Sequence, residues 1–124
     1  MQRWPIAFFW VICLAATPSW AHHSFAMYDG ENPIEIEGVV KEYKLTTPHS
    51  FIAIAVTAAD GSTQLWGLEG SSANSLVRDG WTRTTLKPGD VIKSKIAPLR
   101  SGAPGGAWEA KDTTFTDGSP IVRH

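Results

Sequence analysis

Cysteine is nearly absent from this 124-residue sequence: Cys13 is the only one. It sits inside an apolar run near the start, after Trp10-Val11-Ile12, with no small residues before it as a lipid-attachment cysteine would have. If that run is removed, the remaining chain has no thiol. Disulfides and Cys-based zinc, iron–sulfur or haem-attachment sites are then excluded. Long apolar runs are also lacking. The longest, Ile6 to Ala16, has eleven residues, about half of the roughly 20 that a spanning helix requires. There is no basic excess either: 11 Lys and Arg against 12 Asp and Glu give a formal charge of −1. Loss of Arg3 makes this −2. A chain without a basic patch is a poor match for nucleic acid. Catalytic signatures are missing too. Ser50 beside His49 makes no triad, no Gly-x-Ser-x-Gly elbow occurs, and the carboxylates are scattered over strand faces and turns. A catalytic role is therefore not assigned.

The beginning of the chain has the three-part pattern of an export signal. Arg3 supplies the positive charge, Ile6–Ala16 the apolar stretch, and Ser19-Trp20-Ala21 small residues at −3 and −1 of a cut before His22. The expectation is a signal peptide over residues 1–21, cleavage after Ala21, a periplasmic or secreted product, and no stable membrane anchor afterwards. Residues 22–33 read as an N-terminal arm. Asp29-Gly30 and Asn32-Pro33 are turn signals, and Phe25 and Tyr28 are candidate anchors.

The rest, 34–124, alternates in the manner of strands. Ile34 to Leu45 points Ile34 and Ile36 one way and Glu35 and Glu37 the other. Gly38 breaks the phase, so a bulge is expected there. Phe51 to Thr57 and Thr63 to Glu69 flank the hairpin turn Ala59-Asp60-Gly61-Ser62, with Ile54 and Trp66 expected on buried faces. Ser71 to Asp79 has a capping serine, an Ala73, Leu76, Val77 stripe and Gly80 at its end, which predicts one short helix. Leu86-Lys87-Pro88-Gly89-Asp90 turns into a fourth strand, Val91 to Leu99. A flexible loop, Ser101 to Gly106, leads to a fifth, Trp108 to Phe115. Three strands, a short helix and two strands is the order of the OB-fold, a five-stranded Greek-key barrel. The expected fold is thus all-β with one short helix, OB-like, with a plain β-sandwich as the alternative.

Cleavage after Ala21 makes His22 the first residue. A terminal histidine offers a metal its α-amine and its ring together, and one further imidazole completes a T-shaped set that suits Cu(II). His23 supplies an alternative chelate through its backbone amide. His49, in the turn between the first two strands, is the candidate third ligand, and Glu69 is a candidate for orienting a ligand histidine from behind. His124, the last residue, is read as solvated. A second, metal-free reading uses the loop at 101–108. There Arg100 and Trp108 would contact a glycan, a peptide or a partner protein.

Several stretches together resemble a family of small exported bacterial proteins, domain of unknown function 6152. They are Ala21-His22-His23-Ser24-Phe25, Gly38-Val39-Val40, Pro48-His49, Trp66-Gly67-Leu68-Glu69, Leu76 to Trp81 and Leu86-Lys87-Pro88-Gly89-Asp90. The resemblance implies an exported single domain and brings no activity. The family pattern commonly has asparagine before Pro-His; Thr47 stands here. The family's paired histidines and its Pro-His histidine match His22, His23 and His49, types that suit copper or zinc. The expectation is an exported copper carrier or accessory protein, with zinc as the second candidate metal. Its partner would be a protein that donates or accepts the metal.

Overall fold

The computed structural model describes residues 25–123. The expected leader, His22, His23 and His124 lie outside the described residues, as does the side chain of Phe25.

Five strands follow one another along the chain: β1 (Ile34–Lys44), β2 (Phe51–Thr57), β3 (Thr63–Glu69), β4 (Val91–Pro98) and β5 (Gly105–Phe115). One helix, α1 (Ala73–Arg78), separates β3 from β4. The strands close into a barrel in the order β1-β2-β3-β5-β4. All pairings are antiparallel except β3 with β5, which run parallel through Gly67–Glu69 and Gly105–Ala107. This strand order, with the helix between β3 and β4, is the OB-fold.

β1 serves both sides of the barrel. Its first half, Ile34–Val39, pairs with β4, and its second half, Val39–Lys44, pairs with β2. The bulge expected at Gly38 lies instead between Val40 and Glu42, leaving Lys41 as the extra residue. Inward positions run Ile36, Gly38, Val40 before it and shift to Tyr43 and Leu45 after it. Gly38 has a different task. A Cβ there would meet the Ala55 carbonyl oxygen at 2.6 Å, so glycine allows β2 to cross close by.

The observed β2 and β3 coincide with the ranges read from the sequence, while β5 starts three residues earlier than expected. Gly105 and Gly106 are buried strand residues, wedged between β3 and β4, where a Cβ on Gly106 would meet the Ala97 carbonyl oxygen at 2.6 Å. The flexible loop shrinks accordingly. Later in β5, Ser94 pairs with Thr113 but Ile96 pairs with Trp108, so residues Glu109 to Asp112 bow outward opposite Lys95. The bow is pinned at its base. Thr113 Oγ1 donates to the Glu109 carbonyl at 2.8 Å and lies 2.8 Å from the buried Ser94 hydroxyl.

The core joins Ile36, Val40, Ile52, Ile54, Leu68, Ile92, Ile96 and Trp108, all buried. Helix α1 caps one barrel end. The Ser72 side chain accepts from the Ser75 amide at its start, and Gly80, at φ 86°, turns the chain after its end. Only Leu76 of the expected stripe is buried; Val77 is 55% exposed, because six residues present just one narrow face. Trp81 and Leu86 finish the plug. The Trp81 ring lies 5.3 Å from that of Trp108 and 6.1 Å from that of Tyr43. Trp66, expected on a buried face, is half-buried and packs against the core.

The arm lies along the barrel. Tyr28 is buried and bridges to Leu99, and the Asp29 amide donates to the Pro98 carbonyl at 2.8 Å. Among the described residues, no helix is long and apolar enough to cross a membrane.

Candidate functional site

His49 ends the turn that leads from β1 into β2, and that turn is heavily braced. The Thr46 hydroxyl donates to the His49 carbonyl at 2.7 Å. The fully buried Ser50 hydroxyl donates to the Thr46 carbonyl and accepts from the Thr46 amide, each at 3.2 Å. The strand end opposite is stitched to it. Gly70 donates to the Ser50 carbonyl at 2.8 Å, Ser50 to the Ser71 carbonyl at 2.9 Å, and Ala73 to the Thr46 carbonyl at 2.9 Å. A half-buried imidazole on such a turn has a defined position.

The ring of His49 also has a backbone partner. Its Nδ1 lies 3.3 Å from the Gly70 carbonyl oxygen. A carbonyl oxygen can only accept, so Nδ1 carries a proton in this contact. That is the arrangement found behind metal-ligating histidines, where one ring nitrogen donates to a carbonyl and the other binds the ion. The residue expected to orient a histidine was Glu69. The structure uses the backbone of its neighbour Gly70 for His49, and Glu69 holds the arm: Tyr28 Oη donates to Glu69 Oε2 at 2.8 Å. Burial, that bond and the Glu69 charge together push the Tyr28 phenol up to about 12.

Gly70 is constrained from its other side. A Cβ at this position would overlap the five-membered edge of the Trp108 indole. Trp108 is 2% exposed, and its Nε1 is buried without a hydrogen-bond partner. It therefore offers no face for stacking on a sugar or peptide, and the loop reading loses its aromatic platform. The reason is the strand phase: Trp108 is an inward position of β5, paired with inward Ile96 of β4.

Arg100, the other residue of that reading, clasps the arm. Its Nε donates to the Ala26 carbonyl at 3.1 Å, its amide to the Met27 carbonyl at 2.9 Å, and its guanidinium lies 3.5 Å from Asp29 Oδ1. The Asn32 amide, helped by the Arg100 charge, holds the Asp29 carboxyl below the usual carboxylate range. Between the arm and the bowed part of β5 runs a cleft of about 500 Å³, with Tyr28, Glu69, Lys95, Glu109 and Asp112 among its walls.

His22 and His23 lie outside the described residues, so the structure brings together only part of the expected set. His49, Glu69 and the arm meet around one strand end, while Arg100 and Trp108 part company, one on the arm and one in the core. Among the described residues, no group of three or more His, Cys, Asp or Glu side chains forms a ready cation site. The arm contacts were not visible in the sequence, because their acceptors are backbone carbonyls. The only trace was the opposite charge of Asp29 and Arg100.

A family model described as "Family of unknown function (DUF6152)" matches residues 10–109. No curated protein matches the sequence. Among solved structures, the crystal structure of the mitochondrial single-stranded DNA binding protein Rim1 from S. cerevisiae is similar at a TM-score of 0.49 and 14% identity. The match covers 68% of this chain and 93% of that one.

Proposed function

We propose that this chain, which belongs to the DUF6152 family of unknown function, is an exported carrier or accessory protein for a transition metal, copper before zinc. Cleavage after Ala21 generates the site. The His22 α-amine and ring, with the His23 amide as the variant chelate, supply one side, and His49 Nε2 supplies the other. Nitrogen ligands of this kind suit Cu(II), whose affinity tops the divalent series; zinc accepts the same imidazoles with a tetrahedral preference. Exchange with a donor or acceptor protein gives such a site its use.

The observation that carries this reading is the 3.3 Å contact of His49 Nδ1 with the Gly70 carbonyl oxygen, which holds this imidazole in place on the braced turn. The arm supports it. Its anchor Tyr28 binds Glu69, the residue before Gly70, and six residue steps separate Tyr28 from His22. Six steps of extended chain reach roughly 20 Å.

The test starts with the intact mass of the exported protein, expected to begin at His22; a product that retains Cys13 contradicts the reading. Cu(II) added to that protein should then give a d–d absorption band that a chelator removes. One residue added before His22 converts the amine to a peptide nitrogen and leaves all three imidazoles. It should weaken binding at least about tenfold, roughly 1.4 kcal/mol. Equal affinity of the two forms rejects the terminal chelate.

A further inference from the structure

Trp108 keeps a polar group that the fold does not use. The residue is 2% exposed, and its Nε1 has no hydrogen-bond partner. A buried donor left unpaired is costly, and native structures rarely keep one without a reason. The indole packs on Trp81, while its Nε1 edge lies against Gly70: a Cβ on Gly70 would stand 2.5 Å from Nε1. Gly70 and Trp108 both line the cleft of about 500 Å³ between the arm and the bowed part of β5. The N–H thus ends at the inner wall of that cleft, beside a residue with no side chain.

The cleft is graded from apolar to charged. Ile96 and Trp108 are buried and, with Ala97 and Ala107, make its inner wall apolar. Glu69, Glu109 and Asp112 stand exposed along it, with Lys95 as the one cation among its walls. Lys111 pairs with Glu109 at 2.8 Å, and the carboxylates still outnumber the cations. Glu69 accepts from Tyr28 with Oε2, and a carboxylate has further acceptor sites. The bow itself places two of the three acids. Ser94 pairs with Thr113 and Ile96 with Trp108, so Glu109 and Asp112 are carried out of the ladder. Small-ligand sites occupy about 300–1,000 Å³ and combine apolar walls with a few placed polar groups. This cleft has that size and that composition.

We propose that the cleft binds a small organic amine whose apolar body carries a carbonyl or hydroxyl oxygen. The ammonium sits among Glu69, Glu109 and Asp112, and the body lies on Ile96, Ala97 and Ala107. The oxygen accepts from Trp108 Nε1, which it reaches by parting the indole edge from Gly70. A neutral molecule of the same shape keeps the apolar contact and the hydrogen bond but loses the attraction of the carboxylates. An anion meets their repulsion. The site uses no histidine and no residue before Tyr28, so it is independent of the metal reading.

Four probes separate these contributions. L-phenylalaninamide carries the ammonium, the apolar body and the oxygen. 3-Phenylpropionamide lacks the ammonium, phenethylamine lacks the oxygen, and 3-phenylpropionate lacks the ammonium and bears a negative charge. Each is titrated into 15N-labelled protein at about pH 6, where the amine and the carboxylates are all ionised. The assigned indole N–H resonances of Trp66, Trp81 and Trp108 are followed. L-phenylalaninamide should move the Trp108 indole proton downfield in a saturable titration. Phenethylamine should bind without that downfield shift. Loss of the ammonium should weaken binding at least about fivefold, the effect of one close charge contact in water. 3-Phenylpropionate should bind more weakly than 3-phenylpropionamide. Glu109→Gln with Asp112→Asn alters two exposed side chains, and it should narrow the gap between L-phenylalaninamide and 3-phenylpropionamide. If that double variant folds poorly, the probe series on the unaltered protein decides. No saturable response at Trp108, equal affinity for the cationic and neutral probes, or an undiminished gap in a folded double variant each overturns the proposal. None of these results touches the metal reading.

Discussion

Tyr28 Oη donates to Glu69 Oε2 at 2.8 Å across 41 residues of chain, and the residue after Glu69 holds the ring of His49. Two residues in sequence thus organise two distant segments. Glu69 does so with its side chain and Gly70 with its carbonyl. The end of β3 is suited to this because it is braced on both sides, by β2 through Phe51 and by β5 through Ala107. Removing the phenol oxygen alone measures the link. Tyr28→Phe should lower stability by about 1 kcal/mol, the usual net value of one hydrogen bond, since exposure of Glu69 limits the gain from its charge. A urea melt reads this, and an unchanged midpoint would mean that water replaces Tyr28 at Glu69 without loss.

Gly70 should tolerate no side chain. Gly70→Ala places a methyl against the Trp108 indole, which is itself packed on Trp81. Overpacking of this kind costs about 1–3 kcal/mol. The expected result is a lower urea midpoint at unchanged slope. Because Gly70 also holds His49, the same substitution should displace the imidazole resonances of that ring. A stable variant with unmoved His49 resonances would show that Trp108 yields freely.

Much of this architecture was legible in the sequence, and the misses share a cause. β2 and β3 alternate cleanly and are bounded by strong turn residues such as Asp60-Gly61, so their ranges could be read directly. Alternation is a side-chain signal, however. Gly105 and Gly106 have no side chains to alternate, so the start of β5 looked like a loop, although close packing against Ala97 is what requires glycine there. Gly38 misled in the opposite way. It looked like a break in phase, while the true shift lay at Lys41-Glu42, where two charged residues in a row leave the inward face without a candidate. The site followed the same division. His49 was readable as a side chain on a turn, but the Gly70 carbonyl that orients it has no residue-type signature. The clasp of Arg100 on Ala26 and Met27 carbonyls, 74 and 73 residues away, is equally silent.

The tryptophans should separate sharply. Trp108 is 2% exposed and is the largest fully buried side chain among the described residues, whereas Trp66 is half-buried. Trp108→Ala should cost about 3–5 kcal/mol through lost burial and a cavity that Trp81 cannot fill. Trp66→Ala should cost roughly half as much, because solvent already reaches its ring. Paired urea melts test the order. A Trp66 variant less stable than the Trp108 variant would contradict the assignment of inward positions on β3 and β5.

Alkaline pH offers a test that needs no substitution. The sequence has two tyrosines, Tyr28 and Tyr43, and both phenols are pushed up to about 12. For Tyr43 the cause is burial beside Trp81. For Tyr28 burial comes first, followed by the bond to Glu69 and its charge. An unfolded tyrosine ionises near 10. Below that pH both states keep their protons, and stability does not depend on these groups. Between about 10 and 12 the unfolded chain loses protons that the folded chain retains, so stability falls as pH rises through this window. Above about 12 both states are ionised and the dependence ends. Two groups shifted in the same direction make the slope twice that of one. Tyrosinate absorbance of the folded protein should therefore stay low past pH 10 and rise only near 12, or earlier in a single step if unfolding intervenes. Tyr28→Phe should reduce the slope of stability against pH, leaving the share of Tyr43. A folded protein in which both tyrosines titrate near 10 would mean that neither phenol is shielded, and that the arm does not stay docked on the barrel in solution.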